Sequence, residues 1–190
     1  MKTIEVGYLV GSLAKGSINR KLAKALTRLA PEGMSFSEIG YADLPLYSYD
    51  YDADYPAVAE EFKAKIRNSD AILIVTPEYN RSIPGALKNA IDWASRPYGT
   101  NVFARKPTAV IGTSPGSIGT AVGQQHLRSI LGFLNAPQMN TVEGYIQFTP
   151  DLITDEGEVT VESTESFLRK YMEEFHAHAT RVLTVLPREA

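Results

Sequence analysis

The chain has 190 residues, of which 44% are hydrophobic and 22% are charged, and its formal net charge is −3. These values predict one soluble globular domain spanning residues 1–190 and argue against nucleic acid or an anionic membrane as a partner. Cysteine is absent, which excludes disulfides and thiolate chemistry, and no apolar stretch is long enough to span a membrane, so we expect a cytoplasmic protein.

The first quarter of the chain predicts a strand, a crossover helix and a second strand. Ile4 to Val10 is an apolar run typical of a buried strand, and the segment from Ile18 to about Ala30 has helical apolar spacing. Pro31 to Gly33 ends that helix, and a weaker strand follows around Met34 to Ile39. Residues 41–56 are rich in Asp, Tyr and Pro and are expected to be irregular and exposed; within them we interpret Asp50 to Tyr55 as a solvated loop, with an oligomer contact as the alternative.

The rest of the chain continues the alternation of strands and helices. Ala71 to Val75 is an unbroken apolar run, which predicts a strand covered on both faces. We also predict a strand over Thr108 to Ile111 that breaks at Gly112, and a short strand around Gln138 to Val142. Helices are predicted around Val58, Phe62 and Ile66; around Leu87, Ala90, Ile91 and Ala94; around Leu127, Ile130, Leu131 and Leu134; and from Leu168 to Leu186.

About five alternations of strand and helix predict an α/β fold with an open, doubly wound parallel sheet. Ligands of such sheets bind beyond the carboxyl ends of the strands, where the strand order reverses. Three loops rich in Gly, Ser and Pro follow the first, third and fourth predicted strands. We expect all three loops to meet at that edge and to form the functional site.

The first loop, residues 11–19, lies between a predicted strand and a predicted helix, an arrangement that suits an anion. It is not a Walker A loop, because Gly16 is followed by Ser17 and Ile18 instead of Lys and Ser or Thr. It is not a dinucleotide fingerprint either, because Leu13 stands where that motif needs glycine. These exclusions leave a site for a single phosphate group.

Four side chains of the first loop favour a terminal phosphate monoester. Ser12 and Ser17 offer hydroxyls, Asn19 offers an amide and Lys15 offers a cation. Ser17 also suits the N-cap of the following helix, and this structural role is compatible with a phosphate contact.

The third loop, residues 112–119, contains Gly112, Ser114 and Gly116 in the G-x-S-x-G spacing of a serine hydrolase. We reject that interpretation because Pro115 follows the serine and has no N–H for an oxyanion hole. The three histidines, at positions 126, 176 and 178, are interpreted as structural or solvent-facing rather than as catalytic bases. The loop instead suits close approach of a flat ligand.

The second loop, residues 76–85, follows the most apolar strand. Pro77, Glu78, Tyr79 and Asn80 provide an aromatic ring and polar groups, and the sequence Pro84-Gly85 predicts the start of a helix. An ordinary βα turn is the simpler interpretation. A planar heteroaromatic ligand would account for the composition of the whole loop.

Two stretches together carry a family resemblance. They are Gly11-Ser12-Leu13 with Lys15-Gly16-Ser17 and Asn19, and the run from Thr76-Pro77-Glu78-Tyr79-Asn80 to Asp92-Trp93. They resemble the NADPH-dependent FMN reductase family, and most closely its bacterial quinone and chromate reductase branch. The resemblance implies a flavodoxin-like three-layer fold with strand order 2-1-3-4-5, FMN bound without a covalent bond, and a homodimer or homotetramer.

The resemblance also implies roles for individual residues. Ser12, Lys15, Ser17 and Asn19 would hold the FMN phosphate, within a set completed by Gly11 and Ile18. The isoalloxazine ring would be lined by Pro77, Glu78, Tyr79 and Asn80, and bordered on its far side by Ser114, Gly116 and Ser117. The chain departs from the family at Ala14, where an arginine is common.

The implied activity is electron transfer from NAD(P)H through FMN to a small acceptor such as a quinone, a flavin, an azo compound or chromate. The flavin carries the chemistry, so no side chain is expected to act as nucleophile or general base. The alternative is a flavodoxin-type electron carrier, which would receive electrons from a partner protein and would not oxidise nicotinamide itself.

Overall fold

The computed structural model describes residues 3–186. The strands are β1 (Ile4–Val10), β2 (Met34–Glu38), β3 (Ala71–Val75), β4 (Thr108–Ser114) and β5 (Gly144–Gln147). The helices are α1 (Ile18–Leu29), α2 (Ala57–Asn68), α3 (Gly85–Ser95), α4 (Ala121–Phe133) and α5 (Glu162–Val185), with a 3-10 turn at Tyr49–Asp52. The strands form one parallel sheet in the order β2-β1-β3-β4-β5. The predicted fold and strand order are thereby confirmed.

Successive side chains of the central strands point to opposite faces of the sheet, and each face is covered by helices. Leu73 packs with α1 and α5 on one face, whereas its neighbour Ile74 packs with α2, α3 and α4 on the other. All five residues of β3 are buried, as the unbroken apolar run predicts. The result is a helix–sheet–helix sandwich that leaves the carboxyl ends of the strands open to the connecting loops.

The last two strands differ from their predicted bounds. β4 does not break at Gly112; it continues to Ser114, because Gly112, Thr113 and Ser114 pair with β5. The predicted strand at 138–142 is wrong. Gln138 makes one isolated bridge to Thr108, and the chain then turns at Val142, whose φ is +61°. Pairing therefore resumes only at Gly144.

The prediction that residues 41–56 are exposed is wrong for three of their tyrosines, whereas Tyr49 is exposed as predicted. The rings of Tyr47, Tyr51 and Tyr55 lie 5.1, 5.3 and 5.2 Å, centroid to centroid, from that of Trp93, which is fully buried on α3. The Trp93 Nε1–H donates to the carbonyl of Pro45 at 2.7 Å. Aromatic contacts of this kind hold the segment against α3.

Among residues 3–186, no helix combines the length and the apolar character needed to cross a bilayer.

Candidate functional site

The three loops predicted to form the site do meet at the carboxyl edge of the sheet. The N–H of Gly11 donates to the Val75 carbonyl at 2.8 Å, and the N–H of Thr76 donates to the Ile111 carbonyl at 3.0 Å. A Cβ at Gly11 would lie 2.5 Å from Thr76 Oγ1, so only glycine allows the first two loops to approach this closely. The site is therefore built on the ends of β1, β3 and β4.

The first loop presents unpaired backbone donors beside a helix N-terminus. Ser17 is the N-cap of α1, and its hydroxyl accepts from the N–H of Arg20 at 3.3 Å, which confirms the capping role. Ser12 Oγ accepts from the N–H of Ala14 at 3.3 Å. Within residues 3–186, the N–H groups of Leu13, Lys15, Gly16, Ile18 and Asn19 have no acceptor. An anionic group at this point would satisfy them.

Lys15 supplies the positive charge of this loop. Its side chain is exposed, and no ion pair or hydrogen bond in the described part of the chain involves it. Arg20, in the first turn of α1, is instead paired with Glu38 of β2, which also accepts from the Tyr8 hydroxyl at 3.4 Å. Because Arg20 is paired with Glu38 and Ala14 is uncharged, Lys15 is, within residues 3–186, the cation of this loop that is free to pair with a phosphate.

Asn19 lies behind the loop and joins it to β4. Its Nδ2 donates to the Thr113 carbonyl at 2.9 Å, and its Oδ1 accepts from the Thr113 N–H at 3.0 Å. The residue is 1% exposed. The amide oxygen and one amide N–H therefore both bond the backbone of Thr113. The side chain that was predicted to hold a phosphate thus ties the first loop to β4, the strand that leads into the third loop.

Replacing Asn19 by alanine should lower the free energy of unfolding by about 2–4 kcal/mol, because the buried N–H and C=O of Thr113 would both lose their partners. Urea denaturation followed by circular dichroism measures this change. The matched control is Asn68→Ala at the exposed end of α2, which should change the free energy of unfolding by less than about 0.5 kcal/mol. Equal denaturation midpoints for the two variants would show that the hydrogen bonds between Asn19 and Thr113 do not stabilise the protein.

The second loop contains a tight hairpin turn. Tyr79 and Ser82 exchange backbone hydrogen bonds of 2.9 Å each, and the two residues between them, Asn80 and Arg81, have φ values of +51° and +64°. Two successive positive φ angles define a type I′ turn, which asparagine tolerates and arginine does not favour. The left-handed conformation costs a residue such as Arg81 about 1–2 kcal/mol. Tyr79 is 50% exposed at this turn.

The carboxylate of Glu78 joins the turn to α4. Oε2 accepts from the N–H of Gly123, in the first turn of that helix, at 2.9 Å, and Oε1 accepts from Arg81 Nη1 at 3.1 Å. The Glu78 side chain is only 8% exposed, whereas that of Arg81 is 64% exposed. A carboxylate at a helix N-terminus is stabilising, so Glu78 fixes the second loop on α4.

The third loop is held by local hydrogen bonds. Ser114 Oγ accepts from the N–H of Gly116 at 3.1 Å, and the Pro115 carbonyl accepts from Gln147 Nε2 at 3.2 Å. Ser117 is exposed beside them, and Gly119 turns the chain at a φ of +62°. Ser114 has no base within hydrogen-bonding distance in the described residues, in agreement with rejection of the hydrolase motif.

Two of the three histidines have structural partners. His126 Nδ1 lies 3.1 Å from Ser82 Oγ, and the His178 ring donates from Nε2 to the Pro137 carbonyl at 3.1 Å. Burial lowers the pKa of His178, an effect that the hydrogen bond to Pro137 opposes and the nearby Arg181 reinforces. These contacts fit the structural role predicted for the histidines.

The lowered pKa of His178 predicts that the protein loses stability in mild acid. The unfolded chain binds the proton more readily than the folded protein, so the free energy of unfolding should fall as the pH drops below the ordinary value of 6.5. His178→Gln keeps a donor for Pro137 and should show a smaller loss between pH 7.5 and pH 5.5. Thermal unfolding at both pH values checks this, and identical losses in the two proteins would refute it.

Sequence reasoning assigned no role to two buried threonines of the site. Thr76 packs against Gly11, and Thr113 receives the amide of Asn19; both are fully buried. Each stands at the carboxyl end of a central strand, and that position is the signal that could have identified them.

The five-stranded parallel sheet in the order β2-β1-β3-β4-β5, with helices on both faces, defines a flavodoxin-like fold, and comparisons with known proteins agree. Residues 4–151 match the NADPH-dependent FMN reductase family. A 2-hydroxy-1,4-benzoquinone reductase from a Burkholderia species is 48% identical, over 92% of this chain and 95% of its own length. A quinone reductase from Escherichia coli is 42% identical, over 94% of this chain and 97% of its own length.

Solved structures give the same result. FerB from Paracoccus denitrificans, a flavoenzyme NAD(P)H:(acceptor) oxidoreductase, superposes with a TM-score of 0.90 at 44% identity, covering 94% of this chain and 98% of its own. A flavodoxin from Pseudomonas aeruginosa has a TM-score of 0.56 at 19% identity, which shows a shared fold alone. The chain belongs to the NADPH-dependent FMN reductase family. This membership favours the reductase over the flavodoxin-type electron carrier.

Proposed function

We propose that this protein is an FMN-dependent NAD(P)H:quinone oxidoreductase. In the overall reaction NAD(P)H gives up a hydride, solvent supplies a proton, and the quinone becomes a hydroquinone. The observation that carries the proposal is the meeting of three loops at one sheet edge, the first of which offers N–H groups that are unpaired within residues 3–186 and the exposed Lys15. The quinone reductases at 42–48% identity support a quinone as the acceptor.

The first loop is proposed to hold the FMN phosphate. Its contacts would come from the free N–H groups of the loop, including those of Ile18 and Asn19, from the hydroxyls of Ser12 and Ser17, and from Lys15. Gly11 keeps this loop close to Thr76 and so to the second loop. The donor set fits a phosphate monoester, because hydroxyls, backbone amides and one ammonium all favour a negative oxygen.

The second and third loops are proposed to border the isoalloxazine ring. Pro77, Tyr79 and Asn80 would line one side, with Glu78 acting through its contact to Gly123 rather than by touching the ring. Ser114, Gly116 and Ser117 would border the other. FMN supplies the electron-transfer chemistry when bound, and the protein positions it and limits access to it. No side chain is required to take or give a proton.

One site is proposed to serve donor and acceptor in turn. An anaerobic absorption spectrum of the purified holoprotein, titrated first with NADPH or NADH and then with a quinone, tests the proposal. The expected result is bleaching of the flavin by nicotinamide and recovery of the spectrum on addition of quinone. A flavin that nicotinamide cannot bleach would refute the proposed function. Intersecting lines in initial-rate plots at several acceptor concentrations would refute the alternating use of one site by donor and acceptor.

We also propose a homodimer, with a homotetramer as the larger form, located in the cytoplasm, where NAD(P)H is available. Four large apolar side chains are exposed on the single chain and are available for a subunit contact: Leu46, Tyr49, Tyr98 and Phe133. Light scattering of the purified protein gives its mass, and a monomer at micromolar concentration would contradict the proposal.

A further inference from the structure

Arg81 is an exposed cation on the second loop, and its contacts do not explain why an arginine stands at this position. Arg81 occupies a left-handed position of a type I′ turn, where glycine is the preferred residue after asparagine. Its partner Glu78 is already held by the N–H of Gly123. The ion pair joins a side chain that is 64% exposed, and pairs of that kind contribute little to stability. The unfavourable conformation is therefore not offset by the pair itself.

The position of Arg81 suggests what its charge does. It is two residues from Tyr79, which is half exposed at the same turn, and among the described residues its guanidinium is engaged only at Nη1, by Glu78. A guanidinium has five N–H donors, so the remaining ones can meet an anionic oxygen. Contact with Glu78, itself fixed on α4, holds the guanidinium near the turn.

We propose that Arg81 selects acceptors that carry a negative charge on the ring, the conjugate bases of hydroxylated quinones. This inference rests on the proposed function and specifies its substrate class. A hydroxyquinone is a vinylogous acid and is ionised at neutral pH, so its oxygen can accept a charge-assisted hydrogen bond from Arg81. Unsubstituted 1,4-benzoquinone has the same ring without the charge. A small acceptor offers only its ring and substituents for recognition, so one such contact has a large share in its binding.

The decisive variant is Arg81→Gly, because Asn80 followed by glycine is the preferred sequence for this turn and the backbone should keep its shape. We expect the ratio of kcat/KM for 2-hydroxy-1,4-benzoquinone to that for 1,4-benzoquinone to fall about tenfold, the effect of losing a hydrogen bond to a charged group. Arg81→Lys should recover part of the ratio. Arg169→Gln, which removes an exposed, ion-paired arginine on α5, is the control and should leave the ratio as it is.

A binding experiment tests the same inference without turnover. Benzoate and benzamide have similar shapes and differ in charge, and their binding to the oxidised holoprotein can be followed through the flavin absorption spectrum. Wild type should bind benzoate more tightly than benzamide, with a preference that weakens as salt is added and disappears in Arg81→Gly. A preference for benzoate that survives in Arg81→Gly, or an unchanged kcat/KM ratio, would overturn the inference.

The outcomes also separate this inference from the proposed function. If reduced holoprotein passes electrons to neither quinone, the function is wrong, while the benzoate comparison still decides the role of Arg81. If Arg81→Gly slows only reduction by NADPH or NADH and leaves benzoate binding intact, the guanidinium serves the phosphates of the donor and the inference is wrong.

Discussion

Replacing Ser17 by aspartate is expected to lower the affinity for FMN by at least about 100-fold, because two negative groups about 4 Å apart at a protein surface repel by several kcal/mol. The helix itself should tolerate the change. Ser17 is the N-cap of α1, and aspartate caps a helix as well as serine does. The measurement is FMN binding to the apoprotein by fluorescence quenching, together with thermal unfolding of the apoprotein.

The matched control for this prediction is Ser17→Asn. Asparagine also caps helices and carries no charge, so it should retain most of the affinity for FMN. Full flavin content in purified Ser17→Asp would show that the phosphate binds elsewhere than the first loop. Loss of flavin accompanied by a lower melting temperature of the apoprotein would instead point to damage of α1.

Replacing Gly112 by alanine should destabilise the protein by about 3 kcal/mol or more, because overpacking against rigid backbone cannot be relieved by a rotamer change. A Cβ at this position would lie 2.0 Å from the Thr76 carbonyl oxygen and 2.3 Å from Thr120 Oγ1. The ends of β3 and β4 would have to separate, and these ends carry the second and third loops. We therefore expect loss of bound flavin together with loss of stability.

Gly85→Ala provides the comparison. Gly85 is the first residue of α3, nothing lies within 4 Å of its hypothetical Cβ, and alanine has the higher helix propensity. This variant should be as stable as wild type or slightly more so in urea denaturation. If Gly112→Ala unfolds at the same urea concentration as Gly85→Ala, the close approach of β4 to Thr76 is not required for the stability of the protein.

The central elements were predictable because short-range patterns determine them. The apolar run at Ala71 to Val75 has no alternative to a buried strand, and Ser17 marks the start of α1. The position of β5 was not predictable in this way. It depends on where the chain turns after Gln138, and the residue that makes the turn, Val142 with a φ of +61°, is one that sequence rules would not choose.

The site was predictable at the level of loops and less so at the level of atoms. Strand ends of a parallel sheet must share an edge, so the meeting of three loops followed from topology. The direction of a side chain within a loop depends on partners that are distant in the sequence. Asn19 meets Thr113, 94 residues away, and Glu78 meets Gly123, 45 residues away. No local pattern contains that information.

The tyrosine rings around Trp93 give the protein a built-in spectroscopic reporter. The chain has a single tryptophan, so emission excited at long wavelength comes from one place only. That place is where residues 45–55 contact α3, the helix that begins at the end of the second loop. In the apoprotein, a red shift of this emission would signal release of residues 45–55 and exposure of the indole to water. This signal is separate from any change in the first loop, where the FMN phosphate is proposed to bind.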